Sequence, residues 1–432
     1  MSNNRKKTTR KQPAQGSVSP LRQLRLALGD LVREALYDTV LVNGMEHVIE
    51  QLERERTELC GGWHQHSGKD SAYRGGHVKS SLVLGGRRVS VARPRVRSTR
   101  GAEVMLPSWA AWSATDPLER RSLEQMLVGV SSRQYERSLE ALPEGLKTRG
   151  ARKSAVSRRF IQATSKKLSE FLARDLSGLD LKVLLLDGVH VTTEHTIVAA
   201  VGIDATGTKH ALGLWEGATE NKQTCKTLLE NLVERGLRTD RTILAVIDGS
   251  KALAQAVRAV FGKRVLIQRC QEHKRRNVLD ALPEHKRASV RRTLNTAFKT
   301  EDHVRARRVL ENLARSLEVQ HPGAAASVRE GLDEMLTLKM LGLSGTLLER
   351  TLSTTNLIEN LIGQMQRVSG RVKRWRHGQM VLRWGAVSIM EAEHGFRRIK
   401  GYRELPQLIA ALQRYDRKLD RATPESVVAL AS

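Results

Sequence analysis

Two aspartates interrupt or end hydrophobic runs: Asp187 in VLLLDGVHV and Asp248 in LAVIDGS. An ionised carboxylate at the edge of an apolar sheet is costly unless it is paired or holds a metal. If the two runs are neighbouring strands, about 4.8 Å apart, the carboxylates can converge on one divalent cation or on two about 4 Å apart. Oxygen ligands of this kind suit Mg²⁺ or Mn²⁺, whereas His and Cys ligands would suit zinc. The competing reading is structural, because both acids sit in Asp-Gly, a common turn dipeptide, and Asp248 could simply end a strand before a helix. A third acid would complete the site. Glu359 in TNLIENLIGQMQ is the leading candidate, since Leu357, Ile358, Leu361 and Ile362 crowd it towards a buried face. Its alternative is a capping box, with Asn356 as N-cap and Glu359 three residues on.

Cys270-x2-His273 is half of a zinc spacing, and no second Cys/His pair completes it. The pair reads either as a His beside a phosphate or an acid, or as a buried Cys next to a surface His. No GxxxxGK[ST] loop is present, which disfavours ATP-driven chemistry, and no GxSxG nucleophile elbow occurs. The segment Arg371-Val-Lys373-Arg374-Trp375-Arg376 places an aromatic among cations. Such a segment can track a phosphate backbone and stack on a base, or be an ordinary solvated face.

These residues need elements to position them. LKVLLLDGVHV, TIVAAVGID and KHALGLWEG read as three strands, ENKQTCKTLLENLVERGL as an amphipathic helix, TILAVID as a strand buried on both faces, SKALAQAVRAVF as a helix and VLIQRC as a fifth strand. The order β-β-β-α-β-α-β predicts a mixed α/β sheet, an antiparallel meander extended by parallel strands. Residues 272–350 read as helices only, with basic clusters at Lys274-Arg275-Arg276, Arg291-Arg292 and Arg305–Arg308; STTNLIENLIGQMQRVSG and QMVLRWGAVSIMEAEHGFRR open further helices.

Ahead of the sheet, residues 1–20 read as a disordered basic arm, and the stretch from Leu21 as two or three amphipathic helices. Residues 60–76 read as a loop, and the alternating runs around Gly85-Gly86 as a β-hairpin. Residues 116–175 read as helical. Within them VSSRQYERSLEAL, a break at Pro143 and Gly145, and KSAVSRRFIQATSKKL suggest a helix-turn-helix that offers Ser157, Arg158 and Arg159 to DNA. The plain alternative is a helical hairpin with a basic face. The expected divisions are 1–20, 21–115, 116–178, 179–271, 272–350 and 351–432.

Composition points the same way. In 432 residues, 73 Lys and Arg against 46 Asp and Glu leave a net charge of +27, the balance of a surface that holds a polyanion. No run of 18 apolar residues argues for a membrane span. The basic N-terminus is not followed by the apolar stretch of a secretory signal, and three cysteines cannot build a disulfide framework. The expectation is a cytoplasmic, nucleoid-associated protein.

From Leu181 to about Leu412 the chain resembles the Mutator-type transposases of bacterial insertion sequences. The runs that carry the resemblance are VLLLDGVHV, NLVERGL, LAVIDGSKAL, VLIQRCQEHKRRNVLDALP, STTNLIEN, RVKRWRHGQMVLRW and FRRIKGY, in that order. The hairpin ending in ARPRVRS and the later GVSSRQYERSLEAL resemble that family's N-terminal half. The resemblance implies a DDE triad at Asp187, Asp248 and Glu359 on an RNase H-like α/β fold, with the family's Cys-x2-His feature at Cys270 and His273 and residues 272–350 as an all-helical insertion. Mainly helical DNA-binding domains would precede this core. The implied chemistry is two-Mg²⁺ phosphoryl transfer, with Mn²⁺ able to substitute, that nicks an element end and joins it to new DNA.

The expected partners are double-stranded DNA, as terminal inverted repeats and as target, and a second copy of the chain, since two ends must be handled together. Arg158, Arg159, Lys274, Arg275, Arg276, Arg371, Lys373, Arg374, Trp375 and Arg376 are the expected DNA contacts. Two departures from the family pattern stand out: Cys225 where the first helix usually has Trp, and Ser353 where the Glu-bearing segment usually begins with Arg. Two other functions compete: a DNA-binding regulator that no longer cuts, and a nuclease that cuts without joining.

Overall fold

The computed structural model describes residues 20–62, 72–114, 116–143, 146–218, 221–370 and 372–421. Side chains are described from Leu36 onward, apart from Tyr37. The basic arm expected over 1–20 lies outside the described residues except for Pro20, and Arg371 lies outside them too. The chain divides into two compact units, one of residues up to 121 with 132–156, the other of 122–131 with 157 onward.

The first unit opens with one helix, α1 (Pro20–Cys60), of 41 residues, in place of the two or three expected. No proline interrupts it after Pro20, and the glycines at 29 and 44 each cost only about 1 kcal/mol inside a helix. Leu52 and Cys60 on α1 are buried with Val91, Val96, Leu106 and Trp109. The hairpin is present as expected: β1 (Ala72–Leu84) pairs with β2 (Arg87–Ser98), and Leu84 opposite Arg87 leaves Gly85-Gly86 as a two-residue turn. Both glycines have positive φ, 55° and 80°, the requirement of a primed hairpin turn.

The loop expected over 60–76 ends sooner, because Ala72 and Tyr73 already pair with Ser98 and Arg97. Its glycines misled: Gly75 and Gly76 form a bulge where the register shifts between Arg74 and His77. Residues 63–71 lie outside the described residues. β3 (Glu103–Val104), α2 (Pro107–Ser113) and α3 (Pro117–Leu127) follow.

The first helix of the expected helix-turn-helix does not form. VSSRQYERSLEAL runs as turns around a single 3₁₀ turn at Glu136–Ser138. Tertiary contacts override its local pattern. Tyr135 is fully buried and donates its hydroxyl to Gly86 O at 3.0 Å, Arg87 Nη2 donates to Glu140 O, and Ser90 N donates to Lys147 O at 3.0 Å. The segment is thereby laid along the hairpin, where β4 (Thr148–Arg149) pairs with β2. Only α4 (Lys153–Leu172) remains of the expected pair.

The second unit is built on a five-stranded sheet. Its elements are β5 (Leu181–His190), β6 (Thr196–Asp204), β7 (Lys209–Gly217), α5 (Lys222–Glu234), β8 (Ile243–Ile247), α6 (Lys251–Phe261) and β9 (Val265–Arg269). The sheet order is β7-β6-β5-β8-β9. β5, β6 and β7 are antiparallel neighbours, whereas β8 and β9 run parallel to β5, which is the mixed sheet the sequence predicts. Alternate residues of the central strands feed two apolar layers. Val183 and Leu185 of β5 and Leu244 of β8 face one, shared with the C-terminal helices; Leu184, Leu186 and Ala245 face the other, shared with α5 and α6. Cys225 on α5 is buried in that second layer.

Residues beyond β9 are helical as expected: α7 (Gln271–Asp280), α8 (Glu284–Lys299), α9 (His303–Leu317), α10 (Pro322–Arg329), α11 (Thr337–Met340) and α12 (Leu347–Leu352). From Val278 to Leu336 they enclose an apolar core of their own. The chain then returns to the sheet with α13 (Asn356–Ser369), α14 (Gly378–Glu393) and α15 (Leu405–Arg421). Among the described residues no helix is long and apolar enough to cross a membrane.

Candidate active site

Parallel pairing brings the two aspartates level. Val183, Leu184 and Leu185 of β5 lie opposite Leu244, Ala245 and Val246 of β8. Continuing that register by two residues sets Asp187 beside Asp248. One strand further, Cys270 N donates to Ile247 O at 2.8 Å, so Cys270 stands next in the row. The candidate site therefore lies at the carboxyl ends of adjacent parallel strands, the edge where open α/β sheets bind ligands.

Asp187 is 7% exposed and belongs to the β5–β6 ladder, opposite Ala199. Burial, then the negative charges of Asp248 and Glu359, push its carboxyl up to about 7, against the opposing pull of His273. A carboxylate raised by burial and by like charges is under-neutralised by its own protein. Asp248 follows β8 directly. Its Oδ1 accepts from Ser250 N at 2.8 Å, and Ser250 caps α6. The turn offered as the structural alternative for Asp248 is thus present, and it fixes the carboxylate beside Asp187.

Glu359 lies in the first turn of α13, exposed on the border of a face that buries Ile358, Leu361 and Ile362. The capping box does not form: the N-cap is Thr355, not Asn356, and no side chain caps the helix. Glu359 Oε1 instead accepts from the Thr355 hydroxyl at 2.8 Å and lies 3.7 Å from His273 Nε2. Thr355, fully buried, also sits 3.3 Å from His273 Nδ1 and 3.4 Å from Cys270 Sγ. One hydroxyl thus connects the Cys-x2-His feature to the third acid.

The hydrogen bond with Cys270 dominates in raising His273 to about 9; burial opposes it, and the charges of Cys270, Glu359 and Asp248 assist. Burial raises the Cys270 thiol most, but bonds from His273 and Thr355 outweigh it and leave the net shift downward. His273, with its basicity raised, thus stands beside the Glu359 carboxylate. Among the described residues no three His, Cys, Asp or Glu side chains are gathered tightly enough to hold one ion as they stand; Glu359 is turned towards Thr355.

The expected DNA contacts divide sharply. Lys274 is 1% exposed and donates its ammonium to Ser327 O at 2.7 Å, with Glu330 Oε2 at 3.3 Å. It faces the protein, not solvent, because α7 packs that side against α10. Arg275 makes two 2.6 Å bonds to Glu272 and lies over the Phe298 ring. Arg276, Arg158, Lys373, Arg374 and Arg376 are exposed, and Arg159 is half-buried. Trp375 is half-buried and packs on two apolar clusters, so its ring anchors the segment to the core. Thr355 and Arg269 were missed by sequence reasoning. Arg269 had a signal, since it ends the hydrophobic run VLIQR as the aspartates end theirs.

The chain is similar to known transposases along most of its length. The family model for transposases of the Mutator family matches residues 23–397. The transposase for insertion sequence element IS256 in transposon Tn4001 of Staphylococcus aureus is 26% identical over 353 residues, covering 78% of this chain and 86% of that protein. The transposase for ISRM5 of Rhizobium meliloti is 25% identical over 399 residues, covering 88% and 96%. The transposase for IS6120 of Mycolicibacterium smegmatis is 30% identical over 171 residues, covering 38% and 52%. With its carboxylates at the ends of parallel strands and a family match along most of its length, the chain belongs to the Mutator family of transposases.

Proposed function

We propose that this chain is the transposase of a bacterial insertion sequence, cutting DNA at the element's ends and joining them to target DNA by a DDE mechanism. The observation that carries the reading is Asp187: a carboxylate nearly excluded from water, level with Asp248, and raised to about 7 by burial and by two neighbouring acids. A sheet gains no stability from such an arrangement, whereas a divalent cation would neutralise it. The sheet order, three antiparallel strands followed by two parallel ones, supports an RNase H-like core.

The donor set is all carboxylate and fits Mg²⁺ or Mn²⁺. Asp187 and Asp248 would hold two such ions between them, with Glu359 on the second. When bound, the ions would stabilise the attacking and leaving oxygens of an in-line displacement at phosphorus. Asp187 and Asp248 are fixed by the ladder and by the Ser250 turn, so they set the geometry. Glu359 would complete the site by turning from Thr355, a side-chain rotation open to an exposed residue. His273 places a positive charge beside Glu359 and balances the acids before the site is filled. Exposed Lys373, Arg374 and Arg376 follow α13 in the chain and would grip duplex DNA through its phosphates. Handling two ends calls for two or more copies of the chain.

The test is strand cleavage with Mg²⁺ on a labelled duplex carrying one end of the element that encodes the chain. Asp187→Asn is expected to bind that duplex and leave it uncut, and cleavage by this variant would sink the assignment.

A further inference from the structure

Arg269, the last residue of β9, is 5% exposed and lies opposite Ile247 in the ladder. Its side chain reaches across the strand ends to the turn that carries Asp248: Nη2 donates to Gly249 O at 2.7 Å. The other arm of the fork turns to the helical insertion, where Nη1 donates to Glu330 O at 2.9 Å, while Nη2 also lies 3.3 Å from Glu330 Oε2. Two glycines make room for the guanidinium. A Cβ on Gly249 would stand 2.3 Å from Arg269 Nε, and one on Gly331 would stand 2.4 Å from Nη1. Both glycines have positive φ, 115° and 66°. The guanidinium thus slots between the residue after Asp248 and the residue after Glu330.

Glu330 gathers further cations at this junction. Lys274 from α7 lies 3.3 Å from its Oε2, and Lys251, the first residue of α6, lies 3.8 Å from its Oε1. Two buried cations beside one half-exposed carboxylate is an expensive arrangement. The planar fork bonds the Gly249 and Glu330 carbonyls through two nitrogens held at a fixed spacing, which the single nitrogen of an ammonium does not offer.

We propose that Arg269 is a positioning residue for Asp248, and that through Glu330 it ties the helical insertion to the active site. The inference rests on the reading of Asp248 as a metal ligand. Displacing the guanidinium frees the Gly249 carbonyl and lets the Asp248 turn relax, so the acids hold the cation less well.

The experiment measures the Mg²⁺ concentration for half-maximal cleavage of the end duplex by the full chain, with melting temperature and duplex affinity recorded alongside. Arg269→Lys is expected to raise that concentration by about tenfold to a hundredfold, the usual cost of losing a residue that orients a ligand. Melting temperature and duplex affinity should stay near the parent values. Glu330→Gln, at a half-exposed side chain, should give a smaller rise in the same direction, and it decides the matter if Arg269→Lys does not fold. An unchanged Mg²⁺ requirement in the folded variants, or a loss of rate that only tracks the folded fraction, would overturn the inference. Asp248→Asn separates the two levels. If it is inactive while Arg269→Lys needs no more Mg²⁺ than the parent, the clamp alone is wrong; if it still cleaves, the reading of the acids is wrong.

Discussion

The sheet and the helix hold their acids in different ways. Asp187 and Asp248 are fixed by backbone: one sits in a paired strand, the other in a turn whose amide it accepts. Glu359 is held by two side chains, Thr355 preceding its own helix and His273 on α7, with Cys270 after β9 beside Thr355. Backbone-held acids cannot move apart, so Asp187 stays buried beside Asp248, and burial first and then like charge push its carboxyl up to about 7. An acid held by side chains can exchange partners. The site thus has a fixed half and an adjustable half.

The largest effect should follow from breaking the fixed half. Asp187→Asn removes a charge that no neighbour replaces, and cleavage of the end duplex should fall to background while binding in a mobility-shift assay persists. Removing a support of the adjustable half, rather than Glu359 itself, should act more gently. Thr355→Val keeps the shape and deletes the hydroxyl, so cleavage is expected to drop by about tenfold to a hundredfold, with the loss partly recovered at high Mn²⁺. Thr355→Val as dead as Asp187→Asn would show that the two halves are equally rigid.

Smaller again is the effect on DNA grip. Replacing Lys373, Arg374 or Arg376 singly by Ala should lower the slope of log affinity against log salt by about 1 for each phosphate left without its cation. Lys274→Met should leave that slope unchanged, because its ammonium is already committed to Ser327 and Glu330. The smallest expected change lies in the first unit: Tyr135→Phe removes the buried bond to Gly86 O and should cost about 1 kcal/mol in denaturant unfolding, with cleavage at saturating Mg²⁺ unaltered.

Much of the second unit was legible because the central strands β5 and β8 read as near-continuous apolar runs, which Asp187 interrupts in β5 and Asp248 follows in β8. The Gly85-Gly86 turn was legible for a similar reason, since its backbone conformation demands glycine. What stayed hidden depends on residues distant in sequence. Nothing local to VSSRQYERSLEAL says that Tyr135 will bury itself against residue 86, and its spacing mimics a helix. Lys274, Arg275 and Arg276 look alike as charges, yet packing buries the first, pairs the second with Glu272 and leaves the third exposed. Thr355 could not be told from its neighbour Thr354 by pattern, because its role comes from Cys270 and His273, more than eighty residues earlier.

The most direct measurement compares the chain with Glu359→Gln for Mg²⁺-dependent cleavage and strand joining on a labelled element-end duplex. The account predicts cleaved and joined products from the parent and neither from the variant, with equal binding by both. Cleavage that survives in Glu359→Gln would contradict the triad, and tight binding without cleavage by either protein, in Mg²⁺ or Mn²⁺, would make the chain a DNA-binding regulator.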